Sequence, residues 1–171
     1  ALKAPYSIPL QLRPAAAVTV LRTDTSFAFY EDPSANRASG TTIASTLLGS
    51  YKLTDNISPL VRLGMVSNSP SNTDGAAGFL NPVLGVSYIQ PLTPELRMAF
   101  FFGTALPLGS GGGDAPDPAK ASGNAAGIRA RSAMDNAMFA VNDLTLFPGV
   151  SLAYVAHGFT VQGEATVLQL L

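Results

Sequence analysis

Side chains along much of this 171-residue chain alternate with a period of two, large and apolar against small or polar. Successive side chains of a β-strand point to opposite faces, so this period commits a segment to a strand with two unlike faces. From Ile57 to Met65 the odd positions are Ile57, Pro59, Val61, Leu63 and Met65, against Ser58, Leu60, Arg62 and Gly64. From Leu96 to Leu108, the even series Leu96, Met98, Phe100, Phe102, Thr104, Leu106 and Leu108 faces Arg97, Ala99, Phe101, Gly103, Ala105 and Pro107. Leu80 to Tyr88 and Leu144 to Tyr154 repeat the pattern, and Thr42 to Leu53, Phe159 to Val167 and Leu21 to Phe29 follow it with more exceptions. Val18 and Val20 are out of phase with Leu21 to Phe29, which predicts a bulge or a strand start near Val20. The expectation is seven strands, each long enough to span an outer membrane when tilted.

The connections alternate as well. Short turns are expected around Thr54–Asn56, Leu92–Glu95 and Ala156–Gly158, and long polar loops around Glu31–Thr41, Ser67–Gly78 and Gly109–Asn136. The last contains GSGGGDAPDPAK, rich in Gly, Pro and Ala, and reads as a mobile loop. Proline removes a ladder hydrogen bond, so Pro59, Pro82, Pro107 and Pro148 count against uninterrupted strands. Pro59 and Pro107 are expected near strand ends, and Pro82 and Pro148 close to the loop rim.

Composition agrees with a surface that does not all face water. Charged residues make up 12% of the chain, about half the usual share of a soluble domain. Mean hydropathy is +0.26. Helical spans need about 18 consecutive apolar residues, and the most apolar stretch, Met98 to Leu108, is shorter and holds Gly103, Thr104 and Pro107. That leaves a large β-sandwich or a membrane barrel, whose strands hide their hydrophobicity by alternation. A net charge of −1 without a basic cluster lacks the footprint of nucleic-acid binding. The opening ALKAPYSIPL has no signal-peptide pattern.

The stretch FFFGTALPLGSGGG, a strand running into a Pro/Gly-rich loop, together with the alternating strands and connections, resembles the bacterial outer-membrane β-barrel superfamily, including its porin-like transporters. The resemblance is one of pattern and covers nearly the whole chain. It implies an all-β, antiparallel, up-and-down transmembrane β-barrel in a bacterial outer membrane, with lipid and small solutes as partners. Seven strands is an odd number, and bacterial single-chain barrels are even-numbered. Such barrels also usually end on an aromatic residue, whereas Leu171 sits in mid-strand. Further C-terminal strands are therefore expected, and residues 1–171 read as one incomplete barrel domain. Residues 1–17 read as an N-terminal extension or lead-in, and 109–136 as a long extracellular loop.

If the apolar faces meet lipid, Arg22, Asp24, Lys52, Arg62, Arg97, Asp143, Gln162 and Glu164 point into the lumen. A charge at the bilayer midplane costs about 2–4 kcal/mol, which favours that side. They read as a polar pore lining that tunes solute selectivity, or as pairs satisfying one another inside a closed barrel. Tyr51, Tyr88, Tyr154 and Phe159 lie on the apolar faces near short turns, where a headgroup-level aromatic girdle belongs; the alternative is ordinary strand-end aromatics of a soluble sheet.

No catalysis is expected. The lone histidine, His157, sits beside Gly158 in a short turn and reads as a solvated turn residue. No serine is placed for a triad with it. With no cysteine and one histidine a zinc site is not expected, and GSGGGD lacks the Gly-Lys-Ser/Thr ending of a phosphate loop. Asp114 and Asp117 resemble a calcium pair but read as solvated loop residues. No cofactor is expected. The leading functional expectation is a pore or transport barrel passing small solutes. A non-conducting, loop-presenting barrel is the first alternative and a secreted β-sandwich binding module the second. Oligomeric state does not follow from the sequence.

Overall fold

Strands form where the alternation predicts them, and they pair with their neighbours in chain order. The computed structural model describes residues 15–32, 38–113, 117–131 and 136–171. Among them run β1 (Val20–Asp32), β2 (Ala38–Ser50), β3 (Ile57–Pro70), β4 (Ala76–Phe79), β5 (Val83–Pro91), β6 (Leu96–Ala105), α1 (Pro118–Ala130), α2 (Asn136–Phe139), β7 (Thr145–Ala156), β8 (Phe159–Thr166) and β9 (Gln169–Leu170). All pairings are antiparallel, in the order β1-β2-β3-β5-β6-β7-β8, with β4 beside β3 and β9 beside β7. The result is a curled, open sheet. β1 begins at Val20, where the phase of the sequence changes.

Two of the seven long strands are interrupted, each for a local reason. β4 and β5 are one strand broken by a bulge. Met65 pairs with Phe79 and Arg62 with Val83, so Leu63 and Gly64 oppose Leu80, Asn81 and Pro82. The extra residue reverses the phase, and Leu80, expected on the outer face, is buried. β8 and β9 are likewise one strand. Val167 N–H donates to Pro148 O at 3.0 Å, but Pro148 has no N–H to return the bond, and the ladder lapses there. Pro148 therefore lies within β7, opposite Phe102, and not at a rim.

The short turns match expectation and use hydroxyl and left-handed chemistry. Thr54 Oγ1 accepts the N–H groups of Asn56 and Ile57, and Thr93 Oγ1 those of Glu95 and Leu96, so Thr-Asp-Asn-Ile and Thr-Pro-Glu-Leu close alike. His157 and Gly158 both take positive φ (52° and 82°), the backbone of a two-residue primed hairpin turn. The expected long loops are shorter than predicted, because β1 runs to Asp32, β2 starts at Ala38 and β3 runs to Pro70.

The third long connection departs most from expectation. Of its described residues, 117–130 and 136–139 are not an extended loop: α1 packs on the inner faces of β1 to β4 and on α2. Asp117 caps α1, its Oδ1 accepting from Ala119 and Lys120 N–H, with Pro118 at the first helical position. Gly123, Asn124 and Gly127 form the buried face. A Cβ on Gly127 would stand 2.8 Å from Val66 and 2.6 Å from Phe139, so only glycine lets the helix come this close.

All of this packing lies on one side of the sheet. The core contains Ala44, Val66, Leu80, Val83, Phe101, Phe147, Met138 and Phe139. Small residues line the concave face, which lets the sheet curl. The Phe101 and Phe147 rings, 5.6 Å apart, cover Gly85 and Gly103, where a Cβ would meet them at 2.9 Å or less.

Candidate functional site

The two faces of the sheet differ: one is covered and the other leaves large apolar side chains exposed. Its covered, concave face carries the buried polar residues Thr42, Thr46, Ser58, Asn68, Ser87 and Ser151. Its convex face carries Val61, Leu63, Met65, Leu84, Val86, Phe100, Phe102, Val150 and Leu152, each 39–49% exposed. Sheets in water bury their apolar face. Here, among the described residues, every helix and both buried clusters sit on the other face.

The four expected girdle residues all lie exposed on the convex side or its rim. Tyr51 follows the end of β2, Tyr88 is three residues from the end of β5, Tyr154 two from the end of β7, and Phe159 opens β8. All four therefore sit beside short turns. Tyr88 Oη donates to Gln90 Oε1 at 3.0 Å.

Six of the eight expected lumen residues, Arg22, Asp24, Arg62, Arg97, Gln162 and Glu164, occupy concave positions and are half-buried. Arg22 Nε and Nη2 both reach Asp24 Oδ1, at 3.0 and 2.9 Å. Arg62 Nη2 donates to Thr46 Oγ1 at 3.3 Å. Gln162 Nε2 reaches Ser151 Oγ at 3.5 Å, and Thr166 donates to Glu164 at 3.2 Å. Ser87, Ala99, Phe101, Ser151 and Glu164 line a small hollow on this wall.

Two expectations are corrected. Lys52 lies beyond β2 in a turn, exposed, and pairs with Asp55 at 2.6 Å, so it belongs to the rim. The pair holds the Asp55 carboxyl below the ordinary aspartate value, chiefly through the Lys52 hydrogen bond and then through its charge. Asp143 precedes β7 and joins the loop framework, its N–H donating to Ala140 O. Asp117, expected as a solvated loop residue, is the cap of α1, with its carboxyl lowered first by the Lys120 N–H. Asp114 and the lead-in up to residue 14 lie outside the described residues.

The concave face is filled from both ends. At the short-turn end, residues 15–19 cross it: Ala15 is buried against Ile89, Ala99 and Ala153, and Val18 O accepts from Ser50 and Ser58 Oγ at 3.1 and 3.2 Å. At the other end the infolded segment is fixed through Asn81, which is fully buried. Its N–H donates to Met138 O (2.8 Å) and its Nδ2 to Ala140 O (2.7 Å), while its Oδ1 accepts Gly109 N–H (2.8 Å). Nearby, Asn68 Oδ1 accepts from Tyr30 Oη and Thr42 Oγ1 at 3.0 and 2.8 Å. Arg131, just past α1, is buried and donates to Ser26 Oγ on β1 at 3.3 Å.

Sequence reasoning missed Asn68, Asn81 and Arg131. Asp117-Pro118 is a helix-start signal that could have revealed α1, but the helix that follows has no apolar stripe and reads as loop. No protein-family model, curated protein or solved structure matches this chain.

Proposed function

We propose that this sheet is the wall of a bacterial outer-membrane β-barrel, its convex face in lipid, and that its polar interior passes small solutes passively. One observation carries the reading: the convex face is apolar and exposed, while the covered face holds the buried polar side chains beside a small apolar core. Water penalises that arrangement over so many strands, whereas lipid rewards it. The aromatics beside the short turns support it, since amphipathic rings favour the headgroup level. A sandwich would lay a second sheet on the apolar face, and among the described residues no element packs there.

A second reading, a barrel that does not conduct, is favoured by residues 15–19 and the described part of the infolded segment, which cover the concave side from both ends. Conductance of the purified protein in planar bilayers separates the two. Discrete steps whose ion selectivity changes in Arg62→Ala or Arg97→Ala support the pore. A membrane-inserted protein without steps supports the closed barrel. A chain that stays monomeric and folded in plain buffer contradicts both.

A further inference from the structure

We infer that α1 adds to the lumen a preference for anionic solutes and that Arg129 carries the helix's share of it. The inference rests on the lumen reading above. α1 turns Gly123, Asn124 and Gly127 to the sheet, which leaves Ala121, Ser122, Ala125 and Arg129 exposed on the side facing away from β2 to β4. These positions recur at helical spacing on one face. Three are small, so the face takes little room from the concavity, and the fourth is a long side chain charged at every relevant pH.

None of the ion pairs among the described residues involves Arg129. The other cation on α1, Lys120, is 3.6 Å from the Asp117 cap and is largely offset by it. Arg131 is turned to β1, where it fixes the end of the helix. The partial negative charge of a helix C-terminus amounts to about half an elementary charge, so Arg129 leaves that end positive. A solute passing α1 would therefore meet an exposed guanidinium on a surface otherwise made of methyl and hydroxyl groups.

The ordinary alternative is that Arg129 only complements the helix dipole, and the test separates the two. The chain has no cysteine, so Ala125→Cys introduces a single reporter one helical turn from Arg129. In proteoliposomes its reaction rates with an anionic and a cationic methanethiosulfonate are compared, each normalised to a free thiol. The anionic reagent is expected to be favoured by about three- to tenfold, the effect of one charge about 6 Å away in water. Arg129→Gln in this background should abolish the preference, Arg129→Lys should keep it, and molar salt should suppress it. A preference unchanged by Arg129→Gln, or one for the cationic reagent, overturns the inference. The reversal potential in a KCl gradient, measured on the cysteine-free protein, should likewise show anion preference that Arg129→Gln lowers. Conductance without that preference overturns this inference alone, whereas absence of conductance with the labelling preference intact overturns the pore.

Discussion

Asn81 accepts the Gly109 N–H at 2.8 Å across 28 residues of chain, and this bond ties the bulge between β4 and β5 to the start of the infolded segment. With Asn81 also donating to Met138 O and Ala140 O, one buried amide holds both ends of that segment. The bulge is what makes this possible, because it turns Asn81 inward where a regular strand would alternate.

Asn81→Leu should therefore release the segment while leaving the sheet intact. Orphaned buried backbone groups cost about 1–3 kcal/mol each, so a loss of at least about 2 kcal/mol is expected. Hydrogen exchange should accelerate across residues 106–144 and stay slow in β6 and β7. Uniform acceleration would show that Asn81 supports the sheet and not the segment.

Gly127→Ala should undock α1. The added methyl meets Val66 and Phe139 below 3 Å, and overpacking of this kind costs about 1–3 kcal/mol. Gly123→Ala, whose Cβ would find its nearest neighbour at 3.7 Å, should be tolerated. Thermal denaturation of the two variants decides; equal effects would place the close approach elsewhere.

The strands, their number and the six concave polar residues, five of them charged, were legible because each is written in local alternation. Leu80 was assigned to the wrong face because a bulge shifts phase without leaving a mark in periodicity. α1 was hidden for a different reason: it buries glycines and Asn124, and its exposed face is mostly alanine and serine, so no hydrophobic contrast exists to read. Lys52 fitted the alternation of β2, but that strand ends at Ser50, where Thr54 begins to close the turn. Asn68 and Asn81 are single polar residues whose roles depend on partners dozens of positions away.

His157→Asn should preserve or raise stability, because asparagine tolerates positive φ and precedes Gly158 here as in preferred two-residue turns. His157→Val should lower it by about 1–2 kcal/mol, the cost of a left-handed conformation for an ordinary side chain. Urea unfolding of both variants checks the order; the reverse order would contradict the turn assignment.

At the rim, the lowered Asp55 carboxyl implies a pH dependence of definite sign. Its contribution is present above the ordinary aspartate value of 3.8 and is lost as pH falls through the lower folded-state value. Carboxyl titration by NMR should give a midpoint below 3.8, which Lys52→Met returns toward it. A midpoint insensitive to Lys52 would leave the pair without effect.

Nitroxide scanning along β6 reads whether the convex face meets lipid. Single cysteines at Ala99, Phe100, Phe101, Phe102 and Gly103 are spin-labelled in reconstituted bilayers, and their collision with lipid-dissolved oxygen is measured. With the convex face in lipid, oxygen accessibility is high at positions 100 and 102 and low at 99, 101 and 103. Equal accessibility at all five, or a protein that does not partition into the bilayer, would contradict it.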